Sequence, residues 1–360
     1  MKIGMFQTPF VAPHRSAAQV FDWAVRQAVV ADEAGFSEYW IGEHATLDWE
    51  SIPNPELVIA AAGRVTKNVK LGPLAHLLPY YHPASLAIQT AWLSQILQGR
   101  YMLGVATGAY PSDAALRGIT DLSINHRMML EAIDIMERVW KAEPFQFKGE
   151  FWKAGFPEPD PKKHYRDTRP YGGKMNMAMT GLSAPSPSIT FAGTRGYLPA
   201  SVYAGNAFLR SHFETYAEQA NANGHPVNRG LHRVVRDVFV ADTDAEAHRL
   251  ATAGGMGLAW MKYLKPTYER FGVLKGLLHD PSVDPTDVDI DYLAKHVWII
   301  GSPETVSEKI EQWFDDLGGD FGHLLIYSHD YLDDPKPWEE SMRRLASEVA
   351  PELNRTLTSV

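Results

Sequence analysis

The stretch from Val69 to Pro111, VKLGPLAHLLPYYHPASLAIQTAWLSQILQGRYMLGVATGAYP, constrains the fold of this chain more than any other. Residues 69–73 are a short apolar run ending in small residues, His82-Pro83 opens a helix, Gly99 closes it, and residues 101–106 are a second apolar run. Short apolar runs bounded by Gly and Pro read as buried strands, and the segment between them carries the entry and stop signals of a helix. Two strands joined by one crossover helix are a parallel βαβ unit, because parallel strands need a connection of that length. Each strand then ends in a loop of small or polar residues, Leu74-Ala75-His76 and Thr107-Gly108-Ala109-Tyr110. Those loops must lie side by side at the carboxyl edge of the sheet, where α/β proteins bind their ligands.

The same alternation runs from end to end. Residues 1–6 are a first strand, and 17–34 a helix with Ser16 as N-cap and Gly35 as stop. A second strand, 39–42, ends at Glu43-His44, and a helix at 55–65 leads into the organising stretch. Helix 125–140 is followed by a hairpin-like segment, 145–152, turning about Lys148-Gly149. Strand 175–179, the loop Thr180 to Ser186, helix 188–194, a sixth strand closed by Tyr203, helix 207–222, strand 234–241 and helix 243–253 continue the series. Helix 305–317 and a last strand, 324–327, complete it, with Ser328-His329-Asp330 beyond. Residues 297–300 would make a ninth strand where a closed barrel takes eight. They are set aside because Gly301-Ser302-Pro303-Glu304 reads as a helix entry. No G-x-G-x-x-G follows the first strand, so the pattern argues a TIM-type (β/α)8 barrel rather than an open dinucleotide-binding sheet. The expectation is a single barrel domain over residues 1–360, with insertions at the C-terminal face near 145–174 and 254–296. In the second insertion, Gly254-Gly255-Met256-Gly257 precedes Trp260, Tyr263, Tyr268 and Phe271, a pattern that suits a lid as well as a helical excursion.

Composition removes several function classes. The chain has no cysteine, which excludes disulfides, thiolate nucleophiles and cysteine-ligated metals. A net charge of −9 disfavours nucleic acid, whose phosphates require clustered Lys and Arg. No apolar run reaches the ~18 residues of a membrane span, and the N-terminus reads as a strand rather than a signal peptide, so a cytoplasmic protein without membrane contact is expected. In a barrel the site candidates are the residues at the strands' carboxyl ends: Gln7, His44, His76, Thr107, Tyr110, Ser183, His329 and Asp330. Metal is not expected, since Gln7-Thr8-Pro9 offers no paired ligands at the first strand. Small residues from Thr180 to Ser186, followed directly by a helix, suit an anion held by backbone N–H groups and the positive end of the helix dipole. Trp23, Trp92, Met129 and Met136 fall on apolar helix faces and are expected in the core, whereas the charged stretch 337–349 is expected to be solvated.

The residues also carry a resemblance. Leu71-Gly72, Leu77-Leu78-Pro79, His82-Pro83, Gly99-Arg100-Tyr101 and Gly104-Val105, with Ile41-Gly42-Glu43-His44 and Gly301 to Val306, are similar to the bacterial-luciferase-like family of flavin-dependent monooxygenases. Within it, Asn54-Pro55-Glu56-Leu57, Ala75 to Pro79 and Ser94-Gln95-Ile96-Leu97 resemble the branch containing the diketocamphane monooxygenases, which perform type II Baeyer–Villiger oxidation. The resemblance implies FMN, supplied as FMNH2 by a separate NAD(P)H:flavin reductase, and O2 used to oxygenate a small apolar substrate, a cyclic terpenoid ketone giving a lactone. It also implies a catalytic His44 donating a proton or hydrogen bond to the flavin oxygen chemistry, and a non-proline cis peptide at Leu74-Ala75 beneath the flavin ring. The phosphate would be held by Thr107, Gly108 and the loop of Leu182, Ser183 and Ala184. Thr107 departs from the family's arginine, and Arg195 or another basic group is the expected compensating charge. Tyr110, Trp260 and Tyr263 would wall the substrate. A homodimer is expected through helices 55–65 and 84–97, packed by Ala60, Ala61, Ala62, Ala87 and Ala91. Alkene epoxidation, aldehyde oxidation, a deazaflavin-dependent hydride transfer and a non-catalytic flavin-binding protein remain as alternatives.

Overall fold

The computed structural model describes residues 1–202, 205–279 and 282–357. Eight parallel strands, Lys2–Phe10, Glu38–Ile41, Lys70–Pro73, Leu103–Ala106, Met177–Gly181, Leu198–Ser201, Arg233–Arg236 and His323–His329, follow one another around a ring. The first strand pairs with both the second and the last, at Met5↔Tyr39 and Met5↔Ile326. Closure happens between the third and fourth strands: Leu71 bridges Tyr101, the Met102 N–H donates to the Leu71 carbonyl at 3.0 Å, and the short strand His76–Leu77 pairs with Val105 and Ala106. Glycine is required at this seam, because a Cβ on Gly72 would stand 2.2 Å from the Met102 carbonyl oxygen. The result is a TIM-type barrel whose strands all end at one rim.

Local signals explain the helices. Ser16 and Gln19 form a reciprocal capping box at Ala17–Ala34, and Gly35 ends that helix at φ 85°. Helices Pro55–Val65, Pro83–Leu97, Pro187–Arg195 and Pro303–Leu317 all begin on proline, whose missing N–H costs nothing in a first turn. The Gly99-Arg100-Tyr101 motif is structural: Arg100 donates to the carbonyls of Gly63, Thr66 and Val69, closing the end of helix Pro55–Val65.

Several expectations need correction. Residues 299–301 are a strand after all, but they pair with Val238–Val240 in a separate two-stranded sheet, outside the barrel. The hairpin pairs Phe145–Lys148 with Lys153–Phe156, so its turn lies at residues 149–152, centred about two residues beyond Lys148-Gly149. Glu131 explains the shift, since its carboxylate accepts from the N–H groups of Glu150, Phe151 and Trp152. Trp92 is not core: it is 54% exposed, with the Arg166 guanidinium 4.9 Å above its ring, while Trp23, Met129 and Met136 are buried. The C-terminal helical stretch is solvated on one face only, because Trp338, Met342, Leu345 and Val349 are buried. Tyr203 lies outside the described residues. Residues 255–271 form the helices Gly255–Ala259, Trp260–Leu264 and Lys265–Phe271, and the excursion returns through Ile290–His296.

Candidate active site

Strands two to five are consecutive around the ring, so the loops after them share one half of the carboxyl rim. His44 stands three residues beyond Ile41, Ala75 two beyond Pro73, Thr107 one beyond Ala106 and Ser183 two beyond Gly181. The His76 Nδ1 meets Glu43 Oε2 at 2.7 Å, which ties the Ala75 loop to the His44 loop. The Leu74-Ala75 peptide is cis, as the resemblance implied, and Ala184-Pro185 is a second cis bond.

His44 lies between two carboxylates. Its Nδ1 is 2.9 Å from Asp113 Oδ2, and its Nε2 is 3.5 Å from Glu50 Oε2. Asp113 also accepts from the Ala45 N–H, the Thr46 N–H and the Thr46 hydroxyl, so it is an ionised acceptor for a protonated Nδ1. Burial pushes the Asp113 carboxyl up, but the hydrogen bonds from His44 and Thr46 outweigh it and hold it below the usual range. For His44 burial favours the neutral ring, yet Glu50, Asp113 and Glu43 together raise it above the ordinary imidazole value. Glu50 accepts from the Tyr263 hydroxyl at 2.5 Å, and burial raises its own carboxyl despite His44 and Tyr263 nearby. His44 Nε2 is therefore the atom placed to hand over or share a proton.

An aromatic wall surrounds this ring. Tyr110 packs edge-on against His44 at 4.9 Å and against Phe271 at 5.8 Å, and Tyr263 stacks on Trp49 at 5.9 Å. Burial pushes the Tyr110 hydroxyl up to about 12, so it stays neutral. Of the three expected wall residues, Tyr110 and Tyr263 belong to this cluster, whereas Trp260 is buried within the excursion, edge-on to Tyr268. Sequence reasoning misses Asp113, Glu50, Trp49 and Phe271 as site residues. Only Phe271 carries a signal, in the aromatic run after Gly254-Gly255-Met256-Gly257; Trp49 and Glu50 sit in an irregular loop and Asp113 in the short helix Pro111–Ala115.

At the other end of this half lies the loop expected to hold a phosphate, where the Ser183 hydroxyl donates to the Pro185 carbonyl at 2.9 Å. Leu182 and Ser183 are exposed, and Ala184 is partly so. His212 supports the loop from beneath: its Nε2–H donates to the Ser183 carbonyl at 2.7 Å while the Ser201 hydroxyl meets Nδ1 at 2.9 Å. Burial keeps His212 on the neutral side, consistent with that tautomer. Ser186 accepts from the Ile189 N–H and caps helix Pro187–Arg195. Arg195 does not supply the charge missing at Thr107. It lies in the last turn of that nine-residue helix, about 12 Å along the axis from its N-terminus, and pairs with Glu137. Thr107 presents its carbonyl to Asn125 Nδ2 at 3.0 Å. Gly108 takes φ 77° with the Tyr80 hydroxyl 2.5 Å from where a Cβ would be, so no side chain intrudes there.

The remaining candidates serve the scaffold. Gln7 is fully buried and accepts from Gln27 Nε2, His329 Nε2 is held by Asp237 at 2.6 Å, and Asp330 binds Arg15 at 3.0 Å and the Ala12 N–H at 3.1 Å. Each rim histidine is thus bound to a different carboxylate: His44 to Asp113, His76 to Glu43 and His329 to Asp237.

Comparison with known proteins agrees with this fold. The chain is 48% identical to 2,5-diketocamphane 1,2-monooxygenase 1 of Pseudomonas putida over 98% of its length and 99% of that protein's. The oxygenating constituent of 3,6-diketocamphane monooxygenase from Pseudomonas putida, a type II Baeyer–Villiger monooxygenase solved in complex with FMN, superposes with a TM-score of 0.95 at 45% identity, covering 98% of both chains. Limonene 1,2-monooxygenase of Rhodococcus erythropolis is 27% identical over 97% of this chain and 86% of that one. The luciferase-like monooxygenase family model matches residues 1–320, and the chain belongs to that family.

Proposed function

We propose that this protein is the oxygenase of a two-component system, inserting one oxygen atom of O2 next to the carbonyl of a small cyclic ketone to give a lactone. The other oxygen atom leaves as water, and the two electrons come from FMNH2 delivered by a separate flavin reductase. Reduced FMN supplies the activation of O2; the protein's part is to bind, orient and exclude water. The ring would lie along Leu74-Ala75 and Gly108, with the phosphate at Ser183, Ala184 and the start of helix Pro187–Arg195. His44 carries the reading, because Asp113 fixes its Nδ1 proton while its Nε2 faces Glu50 at 3.5 Å, beside the ring of Tyr110. Lactone formation is supported by the full-length likeness to ketone oxygenases, against 27% identity to the limonene enzyme. We further propose a single barrel domain acting as a homodimer in the cytoplasm.

The test is product analysis with FMNH2, O2 and a panel of bicyclic ketones, a cyclic alkene and decanal. Lactone from the ketones, lost in His44→Ala while FMN binding persists, is the expected result. Epoxide or carboxylic acid alone, with the ketones untouched, overturns the assignment.

A further inference from the structure

One described cavity lies apart from the loops that carry His44. A crevice of about 580 Å³ lies on the outside of the barrel, between the helices Asn206–Ala222 and Pro303–Leu317 and beneath residues 276–279 and 295–298 of the excursion. Its charge is at odds with the rest of the chain. Among the described lining residues, four are Arg or Lys, two are His, and Asp316 is the single carboxylate, in a protein of net charge −9.

The cations are arranged in depth. Arg236 is 9% exposed at the floor, its guanidinium 4.5 Å from the Trp313 ring centroid. Lys309 is half-buried and donates to the Ile300 carbonyl at 2.9 Å, while Arg210 and Lys295 stand exposed at the mouth. The local carboxylate does not neutralise Arg210, whose Nη1 donates instead to the backbone carbonyl of Asp316 at 2.9 Å. His279 and His296 stack face to face at 3.7 Å, with rings 7° from parallel. Two imidazoles that close repel each other when both are charged, and burial, His279 and Lys295 all hold His296 toward its neutral form.

We propose that this crevice is a binding site for a multiply charged oxyanion of the phosphate-ester class, separate from the flavin site. Like charges converging on one concavity focus the field inward and favour an anion over water. The guanidinium fork of Arg210 matches the geometry of phosphate oxygens, and several cations suit a ligand of more than one charge. Location adds a consequence. The roof of the crevice belongs to the same excursion that carries Tyr263 and Phe271 to His44, so a bound anion would pin that excursion to the barrel helices.

Histidine Cε1–H resonances report the site directly, assigned through His279→Gln and His296→Gln. Titration of the full-length protein with inorganic pyrophosphate, and in parallel with AMP, is expected to shift both resonances saturably and to raise the apparent pKa of both rings. The surface variant Arg210→Ala/Lys295→Ala should weaken that binding at least tenfold while leaving the fold intact. Shifts confined to other histidines, shifts matched by sodium chloride at equal ionic strength, or an unchanged affinity in the double variant would each overturn the proposal.

Discussion

His44 owes its chemistry to neighbours, and the pH dependence should show it. The protonated ring is the form that donates, so activity should fall as pH rises through its pKa, which the flanking carboxylates hold above the ordinary imidazole value. Asp113→Asn removes one of those charges but keeps the shape, and the descending limb of the kcat/KM profile should move to lower pH. A limb that stays in place in Asp113→Asn would mean another group titrates. Stability follows the same sign. Because the folded pKa is raised, the stabilisation from His44 is fully present below the unfolded imidazole pKa and lost as pH rises through the folded one. Urea unfolding of the wild type and His44→Gln across that window should converge at high pH. The sequence made His44 legible because a strand ends just before it. Asp113 was hidden, since its contact with His44 spans 69 positions and only the folded loops bring the two together.

At the scale of elements, the amino end of the barrel is locked by a buried ion pair. Glu38 on the second strand takes a bidentate contact from Arg233 on the seventh, at 2.6 and 2.9 Å, and also accepts from Trp40 Nε1 at 2.9 Å. Burial raises the Glu38 carboxyl, but the Arg233 charge and hydrogen bonds outweigh it and its pKa is lowered. Arg233→Met should therefore leave an uncompensated buried charge and cost about 3–5 kcal/mol in urea unfolding, with Glu38→Gln/Arg233→Met recovering part of that loss. If the single variant matches the wild type, the pair contributes nothing to the lock. Sequence reading located the helices closely because caps and prolines are local signals: Ser16, Gly35, Pro55 and Pro83 sit at the observed ends. It misjudged the hairpin turn because Glu131, from another helix, sets where the chain bends. It misplaced Trp92 because helix Pro83–Leu97 is apolar nearly all round, so periodicity could not distinguish the face turned to the barrel from the face turned outward.

That outward face is where the proposed homodimer would meet. Ile88, Trp92 and Ile96 repeat every four residues along helix Pro83–Leu97 and are 45%, 54% and 44% exposed, and Leu57 on helix Pro55–Val65 is 61% exposed. The small residues expected to line the contact mostly face the barrel instead: Ala62, Ala87 and Ala91 are buried, and only Ala60 and Ala61 are partly open. An apolar stripe across two adjacent helices, left in water, marks a protein contact, and two copies related by a two-fold axis would bury it symmetrically. A specific interface of ~800 Å² per partner is the size such a pair of helices can supply. Each chain carries a charge of −9, so two copies repel at long range, and apolar burial must overcome that repulsion. The dimer should accordingly tighten as ionic strength rises, the reverse of an ion-paired interface. Light scattering at micromolar concentration should give twice the 40.2 kDa of one chain, and Trp92→Glu, which buries a carboxylate at the centre of the stripe, should return the single-chain mass. A wild-type protein that scatters as one chain at high salt would refute the homodimer, and a Trp92→Glu dimer would place its interface on another face.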